Sequence, residues 1–189
     1  MFLLFSFLLL IFPSTSLGQW GTPPPIVTNQ QCQEEQDKIL GCVRNHSLFQ
    51  KFDDPPLSDP IKSSKIVDEI THVLDCSEFL NCNSSRILQS YFFNQRWIID
   101  HYYDNLEACL SIDDLQQIQM TCIQKQSTPM DCNRFIENLP CQIEQLKTLP
   151  NCGSKDVKPF KRFLLAWRSG CVMMHQWMVE AENYKLKIA

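Results

Sequence analysis

The sequence predicts a mostly α, single disulfide-stapled bundle of about five to six helices. Three observations carry that prediction. Apolar residues recur at helical spacing through most of the chain, and no sustained apolar–polar alternation of a half-buried strand appears. The 189 residues include only five glycines, few for an all-β protein rich in tight turns. Ten cysteines, an even number, sit behind an apolar amino-terminal run.

That run, Met1 to Phe12, has no charged side chain and ends at Pro13. It is too short for a hydrocarbon core that needs about 20 residues to cross. Ser16 and Gly18 supply small residues at the −3 and −1 positions, so residues 1–18 read as a signal peptide. Residues 19–31 contain Trp20 and Pro23-Pro24-Pro25 and read as an extended Pro-rich leader. Residues 32–189 form the cysteine-rich helical domain. No later apolar run is long enough to span a bilayer, and the last ten residues are too polar for the tail of a lipid-anchor signal. The expected location is secreted and extracellular, with no transmembrane segment after signal cleavage.

The helices follow in order. Cys32, Ile39, Leu40 and Val43 share one stripe, and Asp53-Asp54-Pro55-Pro56 marks a loop. Asp59-Pro60 pairs a capping carboxylate with proline at the first helical position; Ile66, Val67, Ile70, Val73 and Leu74 then form an apolar face. Ser84 or Ser85 is expected to cap a longer helix whose face is Leu88, Tyr91, Phe92, Ile99, Tyr102 and Leu106. Ser111 with Asp114 three residues on resembles a capping box before Ile112, Leu115, Ile118 and Cys122. Asp131 caps a short helix through Phe135, Ile136 and Leu139, which Pro140 is expected to end or kink. The final helix is expected to begin between Asp156 and Pro159, with the stripe Phe160, Phe163, Leu164, Trp167, Cys171, Met174 and Met178.

In an exported chain, Cys32, Cys42, Cys76, Cys82, Cys109, Cys122, Cys132, Cys141, Cys152 and Cys171 predict five disulfides. Ten cysteines allow several hundred connectivities, and spacing does not choose among them. Cys109, Cys122 and Cys171 continue the apolar faces of their helices, which favours bridges between helices. Zinc binding is not expected, because no C-x-x-C pair occurs. Asn45-His46-Ser47 and Asn83-Ser84-Ser85 are acceptor triplets for glycan at Asn45 and Asn83. A net charge of −4 with both signs scattered argues against nucleic acid as a partner.

Catalytic chemistry finds no foothold in the sequence. There is no G-x-S-x-G, the cysteines are expected to be oxidised, and His46, His72, His101 and His175 stand apart from one another. Asp100-His101 reverses the order of the His-Asp pair of secreted phospholipases and lacks their calcium loop. Asp53-Asp54 and Asp113-Asp114 lack the alternating spacing of a calcium site. The expectation is a protein with no catalytic residue, cofactor or metal. Trp167, Met174, Trp177 and Met178 on the last helix offer a candidate apolar binding surface, with ordinary core packing as the plainer reading. Trp177 lies off the main stripe and is expected to be exposed.

The spacing of Cys32 and Cys42, then Cys76-Ser-Glu-Phe-Leu-Asn-Cys82, then Cys109 to Cys171 resembles the nematode-expanded family of secreted cysteine-rich helical domains of unknown function. The resemblance covers nearly all of the mature chain and implies an extracellular helical domain without assigned catalysis. It carries over no functional residue beyond the cysteines. The expected function is therefore that of a secreted ligand or modulator binding an extracellular or cell-surface protein. A carrier of a lipid or other small apolar ligand is the alternative, although the cysteine spacings fit neither saposin-like nor insect odorant-binding proteins.

Overall fold

The computed structural model describes residues 28–49, 57–122 and 131–183. The expected signal peptide, the Pro-rich run and the expected Asp53–Pro56 loop lie outside the described residues. Among those described, six α-helices and two short 3-10 turns are present and no strand. The helices are α1 (Asn29–Gly41), α2 (Pro60–Cys76), α3 (Asn83–Asn105), α4 (Ile112–Cys122), α5 (Leu139–Thr148) and α6 (Val157–Asn183). The 3-10 turns are His46–Phe49 and Cys132–Ile136.

Local capping explains most of the boundaries. The Asp59 side chain accepts from the Lys62 N–H, and Pro60 occupies the first turn of α2. Ser111 and Asp114 form the expected reciprocal box at the start of α4: Asp114 N–H donates to Ser111 Oγ, and Ser111 N–H to Asp114 Oδ2. Thr28 accepts from Gln31 N–H and starts α1 at Asn29, so the helix takes in three residues expected in the extended leader. Two other expectations are corrected. Neither Ser84 nor Ser85 caps α3; Cys82 does so without a side-chain hydrogen bond, and both serines are buried in the first turn. Pro140 opens a helix instead of closing one. Its missing N–H is harmless in the first turn of α5, and Asn138 in the left-handed region (φ 49°) makes the turn before it.

The two longest helices, α3 and α6, form the antiparallel backbone of the bundle, with the most extensive contact of any pair. Asn83 at the start of α3 donates to Glu180 near the end of α6, and Asn94 Nδ2 donates to the Ala166 carbonyl midway. At the other end His101 Nε2 meets the Pro159 carbonyl at 3.0 Å. Gly170 permits the close approach: a Cβ there would lie 2.8 Å from Asn94 Nδ2 and 3.0 Å from Gln95 Nε2. Helix α2 packs on α3, α4 on α5, and the turn Cys132–Ile136 on α6. Phe160, Phe163, Leu164, Ile98, Ile99, Leu106, Leu110 and Leu115 are fully buried between them.

All ten cysteines are bridged: Cys32–Cys82, Cys42–Cys76, Cys109–Cys152, Cys122–Cys141 and Cys132–Cys171. Cys122–Cys141 joins α4 to α5 and Cys132–Cys171 joins the second 3-10 turn to α6, whereas Cys109, expected on the face of α3, lies past its end at Asn105 and its bridge to Cys152 joins two connections. Among the described residues no helix is long and apolar enough to cross a membrane.

Candidate functional site

The five residues between Cys76 and Cys82 link α2 to α3, and helix α1 lies along them as a splint. Three residues on one face of α1 and its C-cap, Cys42, make the attachment. Cys32 is bonded to Cys82 and Cys42 to Cys76, closing both ends covalently. Between them the Glu35 carboxylate accepts from the N–H groups of Asn81 and Cys82 at 2.9 Å each. Lys38 Nζ reaches the Glu78 carbonyl at 3.4 Å. Positions 32, 35, 38 and 42 fall on one stripe because three- and four-residue steps return to the same side of an α-helix. Glu35 also takes over the role its partner helix lacks: a carboxylate at the start of α3 satisfies orphan N–H groups and suits the helix dipole. From the α3 side, Gln89 Nε2 donates to the Ser77 carbonyl.

Phe79 stands at the tip of this clamped segment. Its side chain is 93% exposed, the most exposed large apolar residue among those described. Its φ of 46° lies in the left-handed region, which costs a residue with a Cβ about 1–2 kcal/mol. An aromatic ring in water and a backbone in an unfavoured region are two penalties at one residue. The surrounding clamp over-determines the conformation and sustains both. A second apolar exposure lies on α3, where Phe93 and Trp97 are 55% and 41% exposed. Trp97 stacks on His101, with ring centroids 4.3 Å apart.

The connection from α1 to α2 is anchored by a buried carboxylate. Glu69 on α2 accepts from the backbone N–H groups of Arg44 and Asn45 and pairs with the Arg44 guanidinium at 3.4 Å. Burial alone raises its pKa, but these donors and the guanidinium charge outweigh it and hold the carboxyl below its ordinary value of 4.5. Tyr102, whose hydroxyl donates to the Leu110 carbonyl at 2.9 Å, is pushed up to about 12, first by burial and then by neighbouring Tyr103, Glu107 and Asp114.

The candidate surface on the last helix is partly taken up in packing. Trp167, Met174, Trp177 and Met178 are all half-buried. Trp167 stacks on Phe135 (5.3 Å, 14°) and meets Phe163 edge-on at 5.1 Å. Trp177, expected to be exposed, packs against the main core and against Cys32, Cys82 and Ala181. Its position off the stripe turns it toward the start of α3, where α1 is bridged. A shallow cleft of about 250 Å³ lies elsewhere, between α2 and α3, lined by Val67, Ile99, Tyr103 and Asp104 among others.

Asn45 and Asn83 are both exposed. Asn45 Oδ1 accepts from Ser47 Oγ at 2.6 Å, whereas Asn83 donates its amide to Glu180. One histidine is less isolated than its sequence suggests: His175 Nδ1 lies 3.6 Å from Cys132 Sγ, beside the bridge to Cys171.

Sequence reasoning passed over Phe79, Glu35 and His175. The partners of Glu35 and His175 are more than forty residues away, and the exposure of Phe79 depends on the splint. The one local signal was the four-residue step from Cys171 to His175, a single turn of α6. No family model, curated protein or solved structure matches this chain.

Proposed function

We propose that this chain is a secreted interaction protein that docks on an extracellular or cell-surface protein, with the Phe79 loop as its anchor and no catalysis of its own. Five disulfides belong to an oxidising compartment, which agrees with export. Exposed triplets at Asn45 and Asn83 suit a glycosylated extracellular surface.

The observation that carries the reading is Phe79 itself, a fully presented aromatic ring on a segment clamped at both ends. Binding energy at protein interfaces concentrates in a few aromatic anchors that fill a partner's pocket. Transferring a phenylalanine side chain from water into such a pocket is worth roughly 1.5–3 kcal/mol. Because the loop is already ordered, little conformational entropy is lost on docking. The partner it fits is a protein with an apolar pocket of about one aromatic ring.

The carrier alternative is weakened, because Trp167 and Trp177 of α6 are engaged in packing. The test is binding of the secreted protein to a panel of cell-surface ectodomains, with Phe79→Ala alongside. Saturable binding weakened at least tenfold by the substitution, with unchanged thermal stability, is expected. Equal binding by both proteins, or no saturable binding across the panel, would overturn the proposal.

A further inference from the structure

The bridge between the second 3-10 turn and α6 has a feature that docking does not use. Cys171 and His175 stand one turn apart on α6, and Cys132 faces them from the first position of the 3-10 turn. One ligand atom from each, the two Sγ atoms and an imidazole nitrogen, lie within 4.8 Å of one another. Two sulfurs and one imidazole are the donor set of a soft-ligand metal site, closed to metal while the sulfurs are bonded to each other.

We infer that reduction of Cys132–Cys171 converts this bridge into a binding site for a thiophilic divalent cation of the zinc class. Cys132, Cys171 and His175 are its protein ligands, and its fourth position is open to water or a further ligand.

The 3-10 turn is held to α6 by more than the disulfide. Phe135 stacks on Trp167, and Arg168 Nε donates to Asn133 Oδ1 at 2.9 Å. The Asp131 side chain caps the turn through Asn133 N–H. These contacts flank Cys132 on its own element and do not depend on its sulfur. With the Cα atoms kept near their 5.5 Å separation, side-chain rotation alone lets the sulfurs spread to the ~3.8 Å of a tetrahedral pair at ~2.3 Å from zinc. His175, already at 3.6 Å from Cys132 Sγ, needs no backbone movement to join them.

The chemistry balances with a dithiol as reductant. Its thiolate attacks the Sγ of Cys171, the less buried residue of the pair, and Cys132 leaves as the thiolate beside His175. The reductant's second thiol then releases Cys171 and becomes a disulfide. The bridge has gained two electrons and two protons, and a divalent cation displaces those two protons when it binds both sulfurs. Of the five bridges, this is the one with a metal-ligating histidine at its sulfur among the described residues.

The test uses the full secreted protein, limiting dithiothreitol and cadmium ion as the spectroscopic stand-in for zinc. The ultraviolet absorption of two cadmium–thiolate bonds per ion is expected, with Cys132 and Cys171 shielded from alkylation as a pair. His175→Ala is expected to weaken cadmium binding tenfold or more without changing the far-ultraviolet circular dichroism. Shielding at any other cysteine pair, equal affinity in His175→Ala, or loss of helix on opening the bridge overturns the inference. Cys132→His supplies an imidazole in place of the bridging sulfur and tests the same site without reduction. It is expected to bind cadmium through Cys171, and failure of the folded variant to do so counts equally against the inference.

Discussion

The α2–α3 connection and the seam between the second 3-10 turn and α6 are both fastened by disulfides, yet the bonds serve them differently. The connection is fastened chiefly by two bridges, the Glu35 carboxylate and the Lys38 ammonium, with Leu80 packed on the core and the aromatic side chain pointing into water. In the seam, Trp167 meets both Phe135 and Phe163, and the bridge fastens elements that already adhere. One region keeps its conformation through its covalent and polar attachments, and the other keeps its place through packing. Aromatic content alone therefore misleads as a guide to a binding surface: the aromatic residues of α6 are drawn into packing, and a phenylalanine in a short loop is the most fully displayed.

The largest expected contrast is between two phenylalanines. Phe163→Ala removes a fully buried ring and should destabilise by about 3–5 kcal/mol. Phe79→Ala should stay within about 0.5 kcal/mol of the parent. Urea unfolding of both variants measures it, and a comparable loss for the two would erase the distinction between the regions.

Removing the bridges sharpens it. Cys42→Ser with Cys76→Ser and Cys132→Ser with Cys171→Ser should each cost about 2–4 kcal/mol. The bridged positions are 34 and 39 residues apart, so their loop-closure contributions differ by only about 0.1 kcal/mol. Local protection should separate them. Hydrogen exchange at Asn81 and Cys82 should accelerate in the first pair, while the amides of the 3-10 turn should keep their protection in the second.

Smaller effects come from Glu69 and from the Phe79 backbone. The Glu69 carboxyl has a folded pKa below 4.5, so its ionised form contributes stability at neutral pH. That contribution is lost as pH falls below 4.5 and through the folded value. Glu69→Gln should flatten this part of the thermal-unfolding profile, and a parallel profile would remove Glu69 from the account. Phe79→Asn keeps the left-handed backbone with a residue that tolerates it and should raise stability by about 0.5–1 kcal/mol. A fall in the unfolding midpoint would show that the ring contributes contacts to the fold.

The parts of the fold that were legible in the sequence were those whose causes are local. Asp59 with Pro60, Ser111 with Asp114 and the long stripe of α6 each contain both members of the interaction within one or two turns. Helix α5 was hidden because Pro140 reads equally as a terminator and as a first-turn residue, and only the position of Asn138 decides. Ser84 and Ser85 looked like caps, yet the carboxylate that meets the start of α3 comes from Glu35, 47 residues earlier than Cys82. Disulfide partners, the exposure of Phe79 and the approach of His175 to sulfur are all set by packing between distant segments. No local pattern records them.

Helix α1 also bears on how the protein is made. Cys32 and Cys42 are translated well before Cys82 and Cys76, the partners they take in the fold. Ten residues of α-helix hold their backbones ~15 Å apart, about twice the ~7 Å limit across which a disulfide can close. Once α1 has wound, it acts as a ruler that forbids the wrong bond between its own cysteines. The same rigid spacing that later braces the loop thus keeps both thiols available for partners still to emerge.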